Sequence, residues 1–411
     1  MQSKKRKKTL ISSLVAERTL LYGFQTTERQ LRVVIPHHNQ LSFAKITFNQ
    51  TNSICFQDRQ ELVTGGHFLV ILIQRLLCFN GKYAVKYPFN MGKCILSQRH
   101  FLYYPSPTCI ATLNEPLKML CTVAFHHTAP LLATRSDDCT VRLWLLSSDN
   151  SSATCVATLA GHSGNVFSVA FHPTAPLLAT GSQDNTVKLW LLSSDNSSAT
   201  CVATLEGHSS YVLAVAFHPT APLLATGSSD CTVRLWLLSS NNSSATCVAT
   251  LAGHRDCVTS VAFHPTAPLL ATGSWDKTVR LWLLSCDNSS ATCVATLAGH
   301  IGGGVCMAFH PTAPLLATGC NGTVRLWLLS SDNSATCIAT LEGHNGPIAF
   351  HPTAPYMIIG CGSTVTLLRM SSDYSYTTCA TILNNIVGSV SFHPEVFCLA
   401  ISKSDTVKLY C

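Results

Sequence analysis

At 411 residues, 47% of them apolar and 11% charged, the chain has material for one large core and only a sparsely charged surface. Its net charge of +7 is unevenly spread: residues 1–107 hold 15 Lys/Arg against 4 Asp/Glu, and residues 108–411 hold 12 against 16. Twenty cysteines in a chain that is neither short nor led by an apolar signal segment exclude a small disulfide-stapled scaffold, and the lack of any CxxC pair argues against a zinc knuckle.

The chain opens on a basic run, Lys4, Lys5, Arg6, Lys7 and Lys8, which has the composition of a nuclear import signal or a nucleic-acid patch. Residues 25–60 mix polar and β-branched side chains without a clear period, and no fold is assigned to them. From His67 to Phe79 the chain is apolar apart from Gln74 and Arg75. This falls short of the ~18 residues a spanning helix needs, so a buried element is expected and no membrane span. Residues 1–107 are therefore read as a basic N-terminal extension of unassigned fold, separate from residues 108–411. An intracellular location, cytoplasmic or nuclear, is expected.

From Thr108 onward one pattern recurs. The pentad Thr186-Val-Lys-Leu-Trp190 has close copies ending at Trp144, Trp236, Trp282 and Trp327, and weaker ones ending at Leu368 and Tyr410. The spacings are 46, 46, 46, 45, 41 and 42, the signature of a repeat array. The best copy reads as four short strands: Val166 to Phe171, Leu177 to Gly181, Thr186 to Leu192 and Thr200 to Leu205. His-Pro, Ser-Gln-Asp-Asn and Ser/Asn/Asp-rich turns separate them, and an all-β repeat follows. Third strands number seven. So do fourth strands, whose copies begin near Thr108, Thr154, Thr200, Thr246, Thr292, Thr336 and Thr378. The array thus starts with an orphan fourth strand and ends with a third strand that lacks its fourth. The two ends are expected to complete one blade, which leaves no open sheet edge.

A Gly-His pair, a Ser/Thr-rich second strand, an Asp six positions before a Trp and the period of forty-odd residues together resemble the WD-repeat β-propeller family. The resemblance covers residues 108–411, although Leu rather than Asp follows each Trp. It implies an all-β, seven-bladed propeller of four-stranded blades. It also implies a hydrogen-bonded tetrad in each regular blade: His162, Thr180, Asp184 and Trp190; His208, Thr226, Asp230 and Trp236; His254, Thr272, Asp276 and Trp282. These are read as structural, because the same His–Asp–Thr set appears in three blades and an enzyme needs one site. The pattern lapses elsewhere, with Pro116 in the first blade, Asn321 in the fifth, Ile359, Gly362 and Leu368 in the sixth, and Asn385 and Tyr410 in the seventh. Blades five to seven are expected to form the weaker arc.

Seven cysteines, Cys109, Cys155, Cys201, Cys247, Cys293, Cys337 and Cys379, share one repeat position. Equivalent sites lie a repeat apart, so they are read as reduced, small apolar residues. The His-Pro histidines (His172, His218, His264, His310, His351 and His393, with His126 in the first copy) close the first strand and are read as turn residues rather than metal ligands. No catalytic constellation, metal site or cofactor-binding loop is found.

The near-identical copies differ in two loops, the one after Gly-His and the turn between the second and third strands. Phe167, Gln183, Tyr211, Arg255, Trp275 and Lys277 fall in or beside them. Tyr, Trp and Arg are the residue types enriched where binding energy concentrates, and in this family both loops open onto the face commonly used for partners. A protein- or peptide-binding scaffold is expected. Related readings are substrate adaptor of a ubiquitin ligase, or subunit of a nuclear or nucleic-acid complex engaged, with an import receptor, through Lys4 to Lys8.

Overall fold

The computed structural model describes the backbone of residues 26–27, 30–37, 40–48 and 54–56. From residue 109 it describes the chain except 115–121, 149, 151, 344–345, 362–363, 372–373, 384–386, 395–397, 404–405 and 411. The basic run Lys4 to Lys8, the apolar stretch His67 to Phe79, and Pro116, Gly362 and Asn385 lie outside the described residues. The chain divides into two compact units, residues 1–101 and 102–411. In the first unit, where sequence pattern assigned no fold, four strands (Thr26–Thr27, Gln30–His37, Gln40–Phe48 and Ile54–Phe56) form an antiparallel sheet in chain order. No helix among the described residues is long and apolar enough to cross a membrane.

The second unit is a seven-bladed propeller, each blade a four-stranded antiparallel sheet. Blade two shows the plan: Val166–Phe171, Leu177–Ser182, Val187–Leu192 and Ala199–Leu205, each paired with the next. Burial follows position in the blade. All six residues of Leu177–Ser182 are buried, because this strand has neighbouring blades on both faces. Small residues make that possible: a Cβ on Gly181 would come within 2.7 Å of Val212 in the next blade. The outermost strand, Ala199–Leu205, is largely open to solvent and buries only its last residue, Leu205.

The core is divided among the seams between blades. Leu177, Val187 and Leu189 of blade two pack with Val212, Phe217 and Trp236 of blade three, and equivalent clusters fill every other seam. Each fully buried leucine contributes about 1.5–3 kcal/mol by leaving water, so the seams hold the ring together.

Closure follows from strand count. Val387–Phe392, Leu399–Lys403 and Thr406–Tyr410 lack a fourth strand, and Cys109–Asn114 supplies it, pairing Val407 with Leu113 and Leu409 with Ala111. Leu113, Val407 and Leu409 then pack against Val123, Phe125 and Trp144 of blade one.

A second closed chain runs beneath the strands. His172 lies edge-on to Phe217 of the next blade, with centroids 5.0 Å apart. The motif repeats around the ring until His393 meets Phe125. In six of these histidines Nδ1 also accepts the backbone N–H two and three residues on, as in His172 with Thr174 and Ala175. Each ring therefore caps its own turn and packs against its neighbour, and that Nδ1 is committed to the turn.

Candidate functional site

The side chains under the candidate surface form a connected polar chain. In blade two Trp190 Nε1 donates to Thr180 Oγ1 at 2.9 Å, and Thr180 lies 2.7 Å from His162 Nε2. His162 Nδ1 lies 2.7 Å from Asp184 Oδ2. Trp can only donate, so the threonine oxygen accepts from it and the threonine's single proton goes to His Nε2; the imidazole proton then sits on Nδ1 and is donated to Asp184. Blades three and four repeat this geometry with His208, Thr226, Asp230 and Trp236, and with His254, Thr272, Asp276 and Trp282.

Burial lowers the pKa of all three histidines, against the opposing pull of their aspartates. For the aspartates burial acts upward, but hydrogen bonds outweigh it. Thr232 and His208 bring Asp230 down to about 2, and Thr278, the Arg255 backbone and His254 do the same for Asp276. A neutral histidine between a threonine and an ionised aspartate could be mistaken for part of a nucleophilic triad. Here each polar atom is occupied, and the aspartate's second oxygen binds the turn itself, accepting Thr186 N at 3.0 Å and Thr186 Oγ1 at 2.6 Å. The chain shapes the loops above it.

The two variable loops are joined in each of blades two to four. Gln183 N donates to Asn165 O at 2.8 Å, Ser229 N to Tyr211 O at 2.9 Å and Trp275 N to Cys257 O at 2.9 Å. The aspartate adds a second tie in blade four, where Arg255 N donates to Asp276 Oδ2 at 3.0 Å. These loops hold residues of changing identity on a fixed backbone.

Most of the six residues singled out from sequence lie on this surface. Tyr211 is 43% and Trp275 52% exposed, and Arg255 and Lys277 are exposed beside them. Phe167 is half-buried and supports Tyr211, with ring centroids 6.0 Å apart. Gln183 is half-buried. Trp275 leans across the seam onto blade five, where a side chain at Gly303 would collide with the indole. The structure adds Ile301, 77% exposed and two residues from that glycine. Its signal in the sequence was an apolar residue directly after Gly-His, where the three preceding copies carry Ser163, Ser209 and Arg255. A cavity of about 200 Å³ lies nearby between blades five and six, bordered by Gly304, Cys306, Cys320 and Gly346. Among the described residues no cluster of three or more His, Cys, Asp or Glu is arranged to hold a metal.

The six described belt cysteines, Cys109, Cys155, Cys201, Cys247, Cys293 and Cys337, carry free thiols. Cys398, buried in blade seven, is disulfide-bonded.

Comparison with known proteins agrees with the geometry. The family described as WD40, "WD domain, G-beta repeat", matches residues 107–144, 153–190, 199–236, 245–282 and 291–327. Each match ends on the tryptophan of a third strand, and blades six and seven, which lack that tryptophan, fall outside them. No curated protein matches the chain in sequence. WD-repeat propellers serve in general as non-enzymatic platforms for protein–protein interaction. The repeated segment of this chain belongs to the WD-repeat β-propeller family.

Proposed function

We propose that the propeller is a non-enzymatic scaffold that presents the loops of blades three to five to a protein or peptide partner. The observation that carries this reading is the concentration of exposed apolar surface there. Of the six large apolar side chains left exposed among the described residues, Tyr211, Trp275 and Ile301 belong to this one run of loops. Aromatic side chains on rigid backbone, rimmed by Arg255 and Lys277, are the composition found where interface energy concentrates. The tetrads support the reading, since they let loop sequence vary while loop geometry stays fixed.

The test is affinity capture with the full chain. Replacing Trp275 and Arg255 together by alanine removes one anchor and one charge from the surface, and loss of at least tenfold in capture of the main partner is expected. Changing Thr220 and Thr266, exposed in the opposite connections, serves as the control. A set of captured proteins unaltered by the double variant would sink the proposal.

A further inference from the structure

We infer that Cys231 and Cys257 form a dithiol–disulfide couple across the seam between blades three and four. Cys231 lies in the turn between Leu223–Ser228 and Val233–Leu238, and Cys257 directly precedes Val258–Phe263 of the next blade. Their sulfurs converge on one atom: Cys231 Sγ lies 3.9 Å and Cys257 Sγ 3.8 Å from the carbonyl oxygen of Ser229. Both thiols are free and half-buried.

The repeat itself brings these two positions together. At the seam of blades one and two they are Cys139 and Asn165, whose side chains meet at 3.7 Å. At the next seam they are Asn185 and Tyr211, and after blade four Lys277 is followed by the glycines of blade five. Among these seams only that of blades three and four has a thiol at both positions. The belt cysteines sit a repeat apart and have no such partner. Cys231 also holds a left-handed backbone, φ 68°, that fixes the direction of its side chain.

Oxidation by a hydroperoxide balances simply. The Cys257 thiolate attacks the peroxide oxygen, giving a sulfenic acid and an alcohol (water, for hydrogen peroxide). The Cys231 sulfur then attacks the sulfenic sulfur, forming the S–S bond and releasing water. The two thiols lose two electrons and two protons to the peroxide. Burial and the nearby Cys257 push the Cys231 thiol up, which disfavours Cys231 as the first attacking thiolate. The bond would clamp the backbone chain that already links Tyr211 to Ser229 and Cys257 to Trp275. The couple stands whether or not those loops bind a partner.

The experiment is peptide mapping of the full chain without reduction, after reduction and then exposure to hydrogen peroxide. One cross-linked peptide joining Cys231 to Cys257 is expected, lighter than the separate peptides by two hydrogen atoms. Cys231→Asn and Cys257→Asn, which install the residues found at 185 and 165, should each abolish it and leave the fold intact by circular dichroism. In a glutathione redox buffer the pair should stay oxidised under more reducing mixtures than the mixed disulfides of Cys201 and Cys247. Recovery of Cys231 and Cys257 only as separate oxidised or alkylated peptides would overturn the inference, as would a midpoint no lower than that of the belt cysteines.

Discussion

In blades two to four the buried histidine chain ends on a carboxylate; in blade five it ends on nothing. His300 Nε2 still meets Thr318 at 2.8 Å, and Trp327 still donates to Thr318 at 2.7 Å. Asn321 replaces the aspartate in a turn one residue shorter, and His300 Nδ1 is left buried without a partner. Blades six and seven solve the problem differently. Ile359 and Leu368, and Ile401 and Tyr410, replace the threonine and tryptophan with buried side chains that join the neighbouring cores. A half-satisfied network is worse than an apolar one, because the unpaired buried group keeps its full desolvation cost. Within the arc of blades five to seven, blade five is the strained member.

The largest effect that sharpens this contrast is loss of the anchoring indole. Trp236→Ala removes a core side chain and strands Thr226, and should cost about 3–5 kcal/mol by urea unfolding. Leu368→Ala, at the matching position of blade six, takes away aliphatic contacts alone and should cost about 2–3 kcal/mol. Equal costs would mean that the polar chain adds nothing to the strong blades.

How far this was readable from sequence depends on whether an interaction lies within a blade or between blades. Trp190, Thr180, His162 and Asp184 sit at fixed spacings inside one repeat, so the spacing identifies them. The blade count and the closure by Cys109–Asn114 come from the same arithmetic. The lean of Trp275 onto Gly303, the His172–Phe217 contact and the meeting of Cys231 with Cys257 join residues of different blades, and the radial placement that brings them together has no trace in local pattern. The first-unit sheet was missed because Gln30–His37 and Gln40–Phe48 are single, unrepeated strands with no second copy to reveal a period.

Acid should expose the same contrast. Burial, with Arg325 nearby, lowers His300 to about 4 from its usual 6.5. The unfolded chain therefore takes up a proton below about pH 6.5 that the folded blade refuses until about pH 4. Stability from this group is fully present above pH 6.5 and is lost as pH falls through that window, by about 3 kcal/mol once partial solvent screening is allowed for. His300→Gln should flatten the profile of unfolding free energy between pH 7 and 4. A profile unchanged by the substitution would place the titration elsewhere.

The smallest expected difference lies between two alanine variants. His208→Ala deprives both Thr226 and Asp230 of a partner, whereas His300→Ala frees only Thr318 and removes an orphan nitrogen. The first should be more destabilising by about 1–2 kcal/mol, measured by urea unfolding at pH 7. If the two variants match, the carboxylate ending contributes nothing.

The outer strands Ala153–Leu159, Ala199–Leu205, Ala245–Leu251 and Ala291–Leu297 are identical in sequence, and the closing strand shares Cys-Ile-Ala-Thr-Leu with Cys337 to Leu341 of blade five. These parts are interchangeable, so side-chain complementarity does little to decide which outer strand fills which blade. Chain connectivity decides it, through the high effective concentration of the strand that follows directly. The closing strand, which returns from the far end of the array, has the weakest such advantage. At high protein concentration a second molecule could offer an equally good strand, and exchange of outer strands between propellers is the form of misassembly this chain is built to risk.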